Sequence, residues 1–385
     1  MSVELRSACL LALGVGIGRF AFTPILPLME QQAGLSRQAG SVLATLNYVG
    51  YLIGAGAGLA RRRPEQRRTT RRAATATVCL TLLAMPLTDN IAVWSVLRFL
   101  AGVAGALLFV LGADDLLGAA RSRLRAAWGF GGVGAGIALA GLMTTSVGQE
   151  SWRGAWLAVA ACAMVVGALS WASDMPSARS PRGRTTGQAD ATRNPWPFRL
   201  VAVIYTLEGV GYIIVATFLV AAVAEGIPGR LGSAVWVAVG VMALPSCAAW
   251  TWFATRTRPT VALTIALVAQ TAGAALPAIS TGPQAAALSG VLLGATIIAV
   301  PWLALMIGRD TGRGRDVALL TIGYSAGQVL GPLLVAPMLS TGYRSSLLVS
   351  AALLAGAAIL SIVLTGIPHR SDAVRELGRA EQPRD

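Results

Sequence analysis

Apolar runs of about 20 residues recur from one end of this sequence to the other, separated by short gaps that carry arginine. A bilayer core about 30 Å thick takes about 20 apolar residues per helix, and backbone inside it must satisfy its own hydrogen bonds. A chain written this way folds as a bundle of membrane-spanning helices. The runs fall at residues 7–29, 39–60, 73–88, 91–117, 126–147, 152–172, 199–222, 232–254, 260–280, 284–307, 317–340 and 345–366. Twelve spans are expected, and with them an all-α polytopic membrane protein. The first run has no small-residue cleavage site before Arg19, so it reads as a span and not as a signal peptide. Composition agrees, with 55% apolar and 12% charged residues among 385 and a mean hydropathy of +0.65, far from soluble domains.

Charge sets the orientation. The formal net charge is +14, from 31 basic residues against 17 acidic ones, and every basic residue is arginine. Alternate gaps hold Arg6, the seven arginines at 61–72, three at 121–125, five at 179–199, Arg256 and Arg258, three at 309–315 and four in the tail, 25 in all. The intervening gaps hold only Arg37, Arg153, Arg230 and Arg344, and Arg19 and Arg98 lie inside spans. Arginine concentrates on the cytoplasmic side of membrane proteins, so both termini are expected there, in a bacterial cytoplasmic (inner) membrane. The basic loops face anionic lipid headgroups, and nucleic acid is not expected as a partner. Cys9, Cys79, Cys162 and Cys247 stand singly in four spans, without metal or disulfide spacing.

The longest polar gap, 173–198, carries Pro176, Pro181, Pro195 and Pro197 among Ser, Thr, Gly and Arg, and reads as a cytoplasmic linker. It separates six spans in 1–172 from six in 199–366, and a cytoplasmic tail follows at 367–385. A repeat connects the halves. Gly16-Ile-Gly18-Arg19 aligns with Gly209-Val-Gly211-Tyr212 at an offset of 193 residues, and Gly112-Ala-Asp114 aligns with Gly308-Arg-Asp310 at nearly the same offset. Duplicated six-helix halves are a transporter architecture.

Twelve spans, a linker after the sixth and the arginine-rich gap after the second resemble the major facilitator superfamily over essentially the whole chain. Arg98-Phe-Leu-Ala-Gly102-Val-Ala-Gly105 looks like its fourth-helix motif. Gly16-Ile-Gly-Arg-Phe-Ala-Phe-Thr-Pro-Ile-Leu-Pro27 and Leu46-Asn-Tyr-Val-Gly-Tyr-Leu-Ile-Gly54 look like the bacterial YbfB/YjiJ subgroup. The resemblance implies a fold of 6+6 pseudo-symmetric bundles, with helices 1, 4, 7 and 10 around a central cavity. Two motifs depart from the pattern. The family's loop motif has an aspartate where this chain has Arg61, which makes Arg61 a candidate gate residue. Gly129, Gly131, Gly132, Gly134, Gly136 and Gly141 echo the fifth-helix pattern of antiporters without its proline.

A charge at the centre of a spanning helix costs at least about 2.5–3.5 kcal/mol on insertion scales. Arg19, Arg98 and Glu208 are the three that incur it. At 1.5 Å per residue, Arg19 and Glu208 lie about 18 and about 14 Å from the cytoplasmic ends of their helices, and Arg98 about 20 Å. All three occupy one layer, on three of the helices that the resemblance places around the cavity, and are expected to share one chamber. Two readings stand for each. Glu208 carries a proton or permanently neutralises an arginine. Arg19 and Arg98 hold an anion or, for Arg98, bond to backbone carbonyls. Asn47, Tyr51, Tyr205, Tyr212, Gln270, Trp302, Tyr324 and Gln328 complete the candidate chamber. Asp114 and Asp115 face Arg121, Arg123 and Arg125, as a solvated cluster or as a gate. Glycine triplets at 50, 54, 58 and at 323, 327, 331 form stripes for close packing or for sliding.

The sequence has no Walker loop, no nucleophile with a base and no clustered metal ligands, so no enzyme, cofactor or metal is expected. The expectation is a monomeric secondary transporter that couples a small-molecule substrate to protons by alternating access. One variant is uptake of an organic anion held by Arg19 and Arg98. A non-transporting receptor or scaffold is the alternative from another class.

Overall fold

The computed structural model describes residues 2–58, 63–120, 122–147, 151–172, 195–227, 229–311 and 316–367. Arg61, most of the expected linker and the tail beyond Ile367 lie outside the described residues. The linker's last residues, from Trp196 on, instead open a helix.

The described residues form twelve rods: α1 Val3–Gln32, α2 Arg37–Gly58, α3 Pro64–Ala84, α4 Ile91–Ala119, α5 Arg123–Val147, α6 Trp152–Ala172, α7 Trp196–Gly226, α8 Leu231–Arg256, α9 Pro259–Ile279, α10 Pro283–Arg309, α11 Asp316–Val335 and α12 Arg344–Thr365. Ten of the regions they cover are long and apolar enough to cross a membrane. The other two, α2 and α3, fall short through composition. α2 carries Asn47, Tyr48, Tyr51 and a run of glycines, and α3 opens on Pro64-Glu-Gln-Arg-Arg-Thr-Thr-Arg-Arg72. The expected span at 73–88 is therefore the far part of a longer helix whose first turns belong to an arginine-rich extension. Starts follow capping chemistry: Asn90 Oδ1 accepts from the Ala92 and Val93 amides, and proline occupies the first turn of α3, α7, α9 and α10. The ends of the rods define a basic face, which carries the arginine-rich connections, and an opposite far face.

Helices α1–α6 pack together, as do α7–α12, and the two groups meet along α1–α7, α2–α11 and α5–α8. Missing side chains make these approaches possible. A Cβ at Gly102 of α4 would overlap the carbonyl oxygen of Asn47 in α2, and one at Gly105 the carbonyl oxygen of Gly14 in α1. Both glycine triplets are seams inside a half. Gly50 and Gly54 lie on the α4 backbone at Phe99 and Val103, and Gly327 and Gly331 lie on α7 at Thr206 and Val210. The glycine-lined seam between halves is a different one, Gly131, Gly134 and Gly141 of α5 against Leu244, Gly240 and Val237 of α8.

Gly102→Leu is expected to lower the thermal unfolding midpoint of detergent-purified protein sharply, because overpacking against backbone costs about 1–3 kcal/mol or more. Gly56→Ala, whose new methyl would meet nothing within 4 Å, should leave the midpoint unchanged or slightly raised. Equal midpoints for the two variants would refute the close α2–α4 approach.

Candidate functional site

The site begins with a break in a helix. Over Ala12–Ile17, with glycine at 14 and 16, α1 widens into π turns, and regular helix resumes only at Phe22. The Gly18 amide bonds back to Leu13 O at 2.8 Å and the Phe20 amide to Val15 O at 3.3 Å, both five residues back. The carbonyls of Gly18 and Arg19 point away from the helix ladder, and Arg98 takes them: Nη1 donates to Gly18 O at 3.3 Å and Nη2 to Arg19 O at 3.0 Å. Its guanidinium also lies 4.8 Å from the Phe22 ring centroid. Asn47 Nδ2 in turn donates to Arg98 O at 2.8 Å. Arg98 and Asn47 thus brace the backbone of Arg19 from α4 and α2, while Arg98 Nε and Asn47 Oδ1 are left without partners. The backbone-carbonyl reading of Arg98 is the one the geometry follows.

The guanidinium of Arg19, 4% exposed, reaches across to the other half. Nη2 donates to Gln328 Oε1 at 2.8 Å and to the Tyr212 hydroxyl at 3.4 Å, and Gln328 Nε2 donates to that hydroxyl at 2.9 Å. Rings of Tyr48, Tyr51 and Phe20 lie 4.5, 4.7 and 5.2 Å from the guanidinium carbon. Arg19 Nε has no partner, and among the described residues no carboxylate lies within ion-pair distance of this guanidinium. The Arg19–Tyr212 contact joins two residues 193 apart, the offset of the internal repeat. The Thr23 hydroxyl donates to Ala216 O at 2.9 Å at the same separation.

Glu208 does not meet either arginine. It is fully buried, and Gln270 Nε2 of α9 donates to its Oε1 at 3.2 Å. Glu208 Oε2 and Gln270 Oε1 are both without partners. The one chamber expected for three charges is therefore divided: Arg98 is turned onto backbone, and Glu208 faces the interior of its own half. Tyr205, Tyr324 and Tyr212 form a ladder between the Glu208 and Arg19 levels, with centroid spacings of 4.2 and 5.6 Å. Trp302 Nε1 donates to the Thr251 hydroxyl at 2.9 Å. Tyr48 is not among the residues expected from the sequence, although it lies three residues before Tyr51 on α2, a spacing that puts both on one helix face.

On the basic face Asp115 is buried and ties three elements: Arg6 of α1 at 3.2 Å, and Arg67 and Arg71 of α3 at 2.9 and 3.9 Å, while Asp114 meets Arg67 at 3.4 Å. The aspartates thus meet arginines of α1 and α3, while Arg123 and Arg125 of the expected cluster are exposed. Arg6, expected in the basic loops, is 2% exposed. Arg121 lies outside the described residues.

At the far face a second polar group joins the halves. Arg37 of α2 donates to Glu225 of α7 and, at 3.4 Å, to Leu339 O. The Tyr343 amide donates to Glu225 Oε2 at 3.2 Å, its hydroxyl bonds to Glu30 of α1, and Arg37 lies 5.4 Å from its ring centroid. Burial, with the Glu30 charge beside it, pushes the Tyr343 phenol above its ordinary range, so it stays a neutral donor. The Ser41 hydroxyl donates to Pro332 O at 2.9 Å, and the hydroxyls of Tyr48 and Thr217 pair at 2.7 Å. These bonds hold the halves together on the far side of Arg19, and beside the outermost of them a cavity of about 420 Å³ opens between Pro27, Glu30, Arg37, Ala221, Glu225 and Leu339.

Two six-helix groups with a buried cation between them, held together toward one face, define a membrane transporter of the major facilitator type. The chain belongs to the family described as uncharacterised MFS-type transporter YbfB, whose model matches residues 11–365. Nothing among curated protein sequences matches it. In fold it is similar to the nucleoside transporter NupG, at 13% identity, a TM-score of 0.68 and coverage of 96% of this chain and 100% of that one. It is similar too to a bacterial homolog of the human lysosomal transporter Spinster in an inward-facing and occupied conformation, at 13% identity, a TM-score of 0.65 and coverage of 94% and 96%.

Arg37→Glu should place three carboxylates together and loosen the far side. In a background with the four native cysteines replaced, a cysteine at position 23 should then react severalfold faster with a membrane-impermeant maleimide. An exposed ion pair contributes up to about 1 kcal/mol, or roughly fivefold in such an equilibrium. Adding Glu225→Arg should restore slow labelling; no rescue by the swap would remove the latch role of the pair.

Proposed function

We propose that this transporter is a secondary carrier that moves a small organic anion through alternating access, with protons as the coupling ion. The observation that carries this reading is the buried Arg19 guanidinium, which lies between the halves and has no carboxylate among the described residues to neutralise it. A cation in a low-dielectric interior attracts an anion far more strongly than one in water. Its neighbours Tyr51, Tyr212 and Gln328 supply the donors and ring faces that orient a ligand.

Glu208 suits the proton-carrying role. Among the described residues its second oxygen has no donor and no guanidinium holds it ionised, and the amide of Gln270 serves either protonation state by offering both a donor and an acceptor. It sits apart from Arg19 but on the same helix as Tyr212, one turn away, so a change at Glu208 bears on α7, which carries a partner of Arg19.

In the proposed cycle the bodies at 1–172 and 199–366 rock about the Arg19 level. The basic face is assigned to the cytoplasm of a bacterial cell by its arginine content, and access from that side corresponds to the far-side contacts described above. Asp114 and Asp115, with Arg61 in the neighbouring connection, are assigned to the gate on the basic face. The protein is proposed to act as a monomer.

Thermal melts of purified protein against organic acids, amphiphilic cations and sugars test the substrate class. A ligand at about 100 times its Kd stabilises by about 2.7 kcal/mol. Organic acids are expected to raise the midpoint and Arg19→Gln to abolish the shift; stabilisation by neutral sugars alone would reject the anion reading. In proteoliposomes, Glu208→Gln is expected to end acid-coupled proton movement while binding persists. Coupling that survives this variant would sink the proton assignment.

A further inference from the structure

Two rows of aromatic side chains run from Arg19 toward the basic face. In the first, Tyr51 of α2 lies 4.7 Å from the guanidinium, Phe109 of α4 lies 6.3 Å from Tyr51, Phe130 of α5 lies 6.2 Å from Phe109, and Trp302 of α10 lies 5.2 Å from Phe130. In the second, Tyr212 bonds to Arg19 and stacks on Tyr324, which stacks on Tyr205. By helical rise, Phe109, Phe130 and Trp302 stand about 10–15 Å inside the basic ends of their helices. They belong to one level on three different elements, between that face and the level of Arg19.

Exposure gives the rows their meaning. Tyr51, Phe109, Trp302 and Tyr324 are only partly buried, although Tyr51 and Tyr324 lie against the enclosed Arg19 group and Phe109 and Trp302 stand well inside their helices. Rings that served solely as packing in such a place would be closed over on all sides, as Trp94, Trp156 and Trp236 are. The first row also crosses from one half to the other at Phe130–Trp302, so an occupant held between the rows touches both halves.

Resting on the anion reading above, we infer that the solute is an aromatic monocarboxylate. Its carboxylate is held by Arg19 and its ring is held between the Phe109–Phe130–Trp302 row and Tyr324. The neighbouring Arg98 guanidinium is spent on the Gly18 and Arg19 carbonyls, which leaves the one fork of Arg19 for a single carboxylate. Ring faces and edges from four helices favour a planar aromatic body over a saturated one of the same size, because aromatic pairs gain attraction beyond the area they bury. A polyhydroxylated solute would find few hydrogen-bond partners along either row.

Dissociation constants of the full-length protein for benzoate and phenylacetate, for the saturated analogues cyclohexanecarboxylate and cyclohexylacetate, and for the neutral benzamide test this inference. The aromatic acids are expected to bind about tenfold more tightly than the saturated ones, with no binding of benzamide. Phe109→Leu and Phe130→Leu, each made separately, should bring that ratio near one while Arg19→Gln removes binding of all four acids. Equal affinity of aromatic and saturated acids for the unaltered protein, with Arg19 still required, overturns the aromatic class and leaves the anion reading standing. If no acid binds, or if benzamide binds as well as benzoate, the anion reading fails and takes this inference with it.

Discussion

The grip of Arg98 on the carbonyls of Gly18 and Arg19 is the contact on which the centre of this protein depends. A π turn in a glycine-rich stretch leaves backbone acceptors without amide partners in a place that water reaches poorly, and a bare carbonyl in a bilayer costs several kcal/mol. A guanidinium is suited to the defect because its planar fork donates to two oxygens at once. The same contact resolves the burial of Arg98 itself, since two carbonyl dipoles and the Phe22 ring replace the hydration it gave up. Remove it, and the turn that aims Arg19 at the other half has nothing to hold it.

Arg19 is therefore held by its backbone and left incompletely satisfied at its side chain. Three rings and two polar groups from α7 and α11 surround its charge, yet none of them is an anion. Structural arginines in membrane proteins end on carboxylates or on carbonyls, as Arg6 and Arg98 do here. Arg71, the fourth buried arginine, meets Asp115 as Arg6 does, so among the described residues Arg19 is the buried arginine whose side chain meets neither a carboxylate nor a backbone carbonyl, a distinction that burial alone does not make.

The twelve-span organisation was legible in the sequence because it rests on the strongest signal a chain can carry, continuous apolar length. Helix ends came within a few residues of the expected bounds, except at α3, where a basic amphipathic extension is invisible to hydropathy. Which residues would be central was legible too, since Arg19, Arg98 and Glu208 announce themselves by cost. Their partners were not. Whether a buried charge faces the cavity, the backbone or its own bundle depends on rotation about the helix axis and on a π turn that adds a residue to the helical repeat, and neither leaves a mark in composition. Phe109 and Phe130 were missed for a simpler reason: in an apolar span a phenylalanine looks the same whether it packs or lines a path.

The repeat at an offset of 193 has a mechanical consequence. Arg19 with Tyr212, and Thr23 with Ala216, are pairs of equivalent positions that touch each other across the interface, so they lie close to the axis relating the halves. That axis runs along the membrane normal, whereas the proposed rocking turns about a line in the membrane plane, so residues at the depth of Arg19 would move least and those at the far face, such as Arg37 and Glu225, most. In the proposed cycle a ligand at Arg19 would thus stay coordinated while the far-side contacts open and close around it. The divergence of the pair, arginine in one half and tyrosine in the other, is what turns a point of symmetry into a site with a charge.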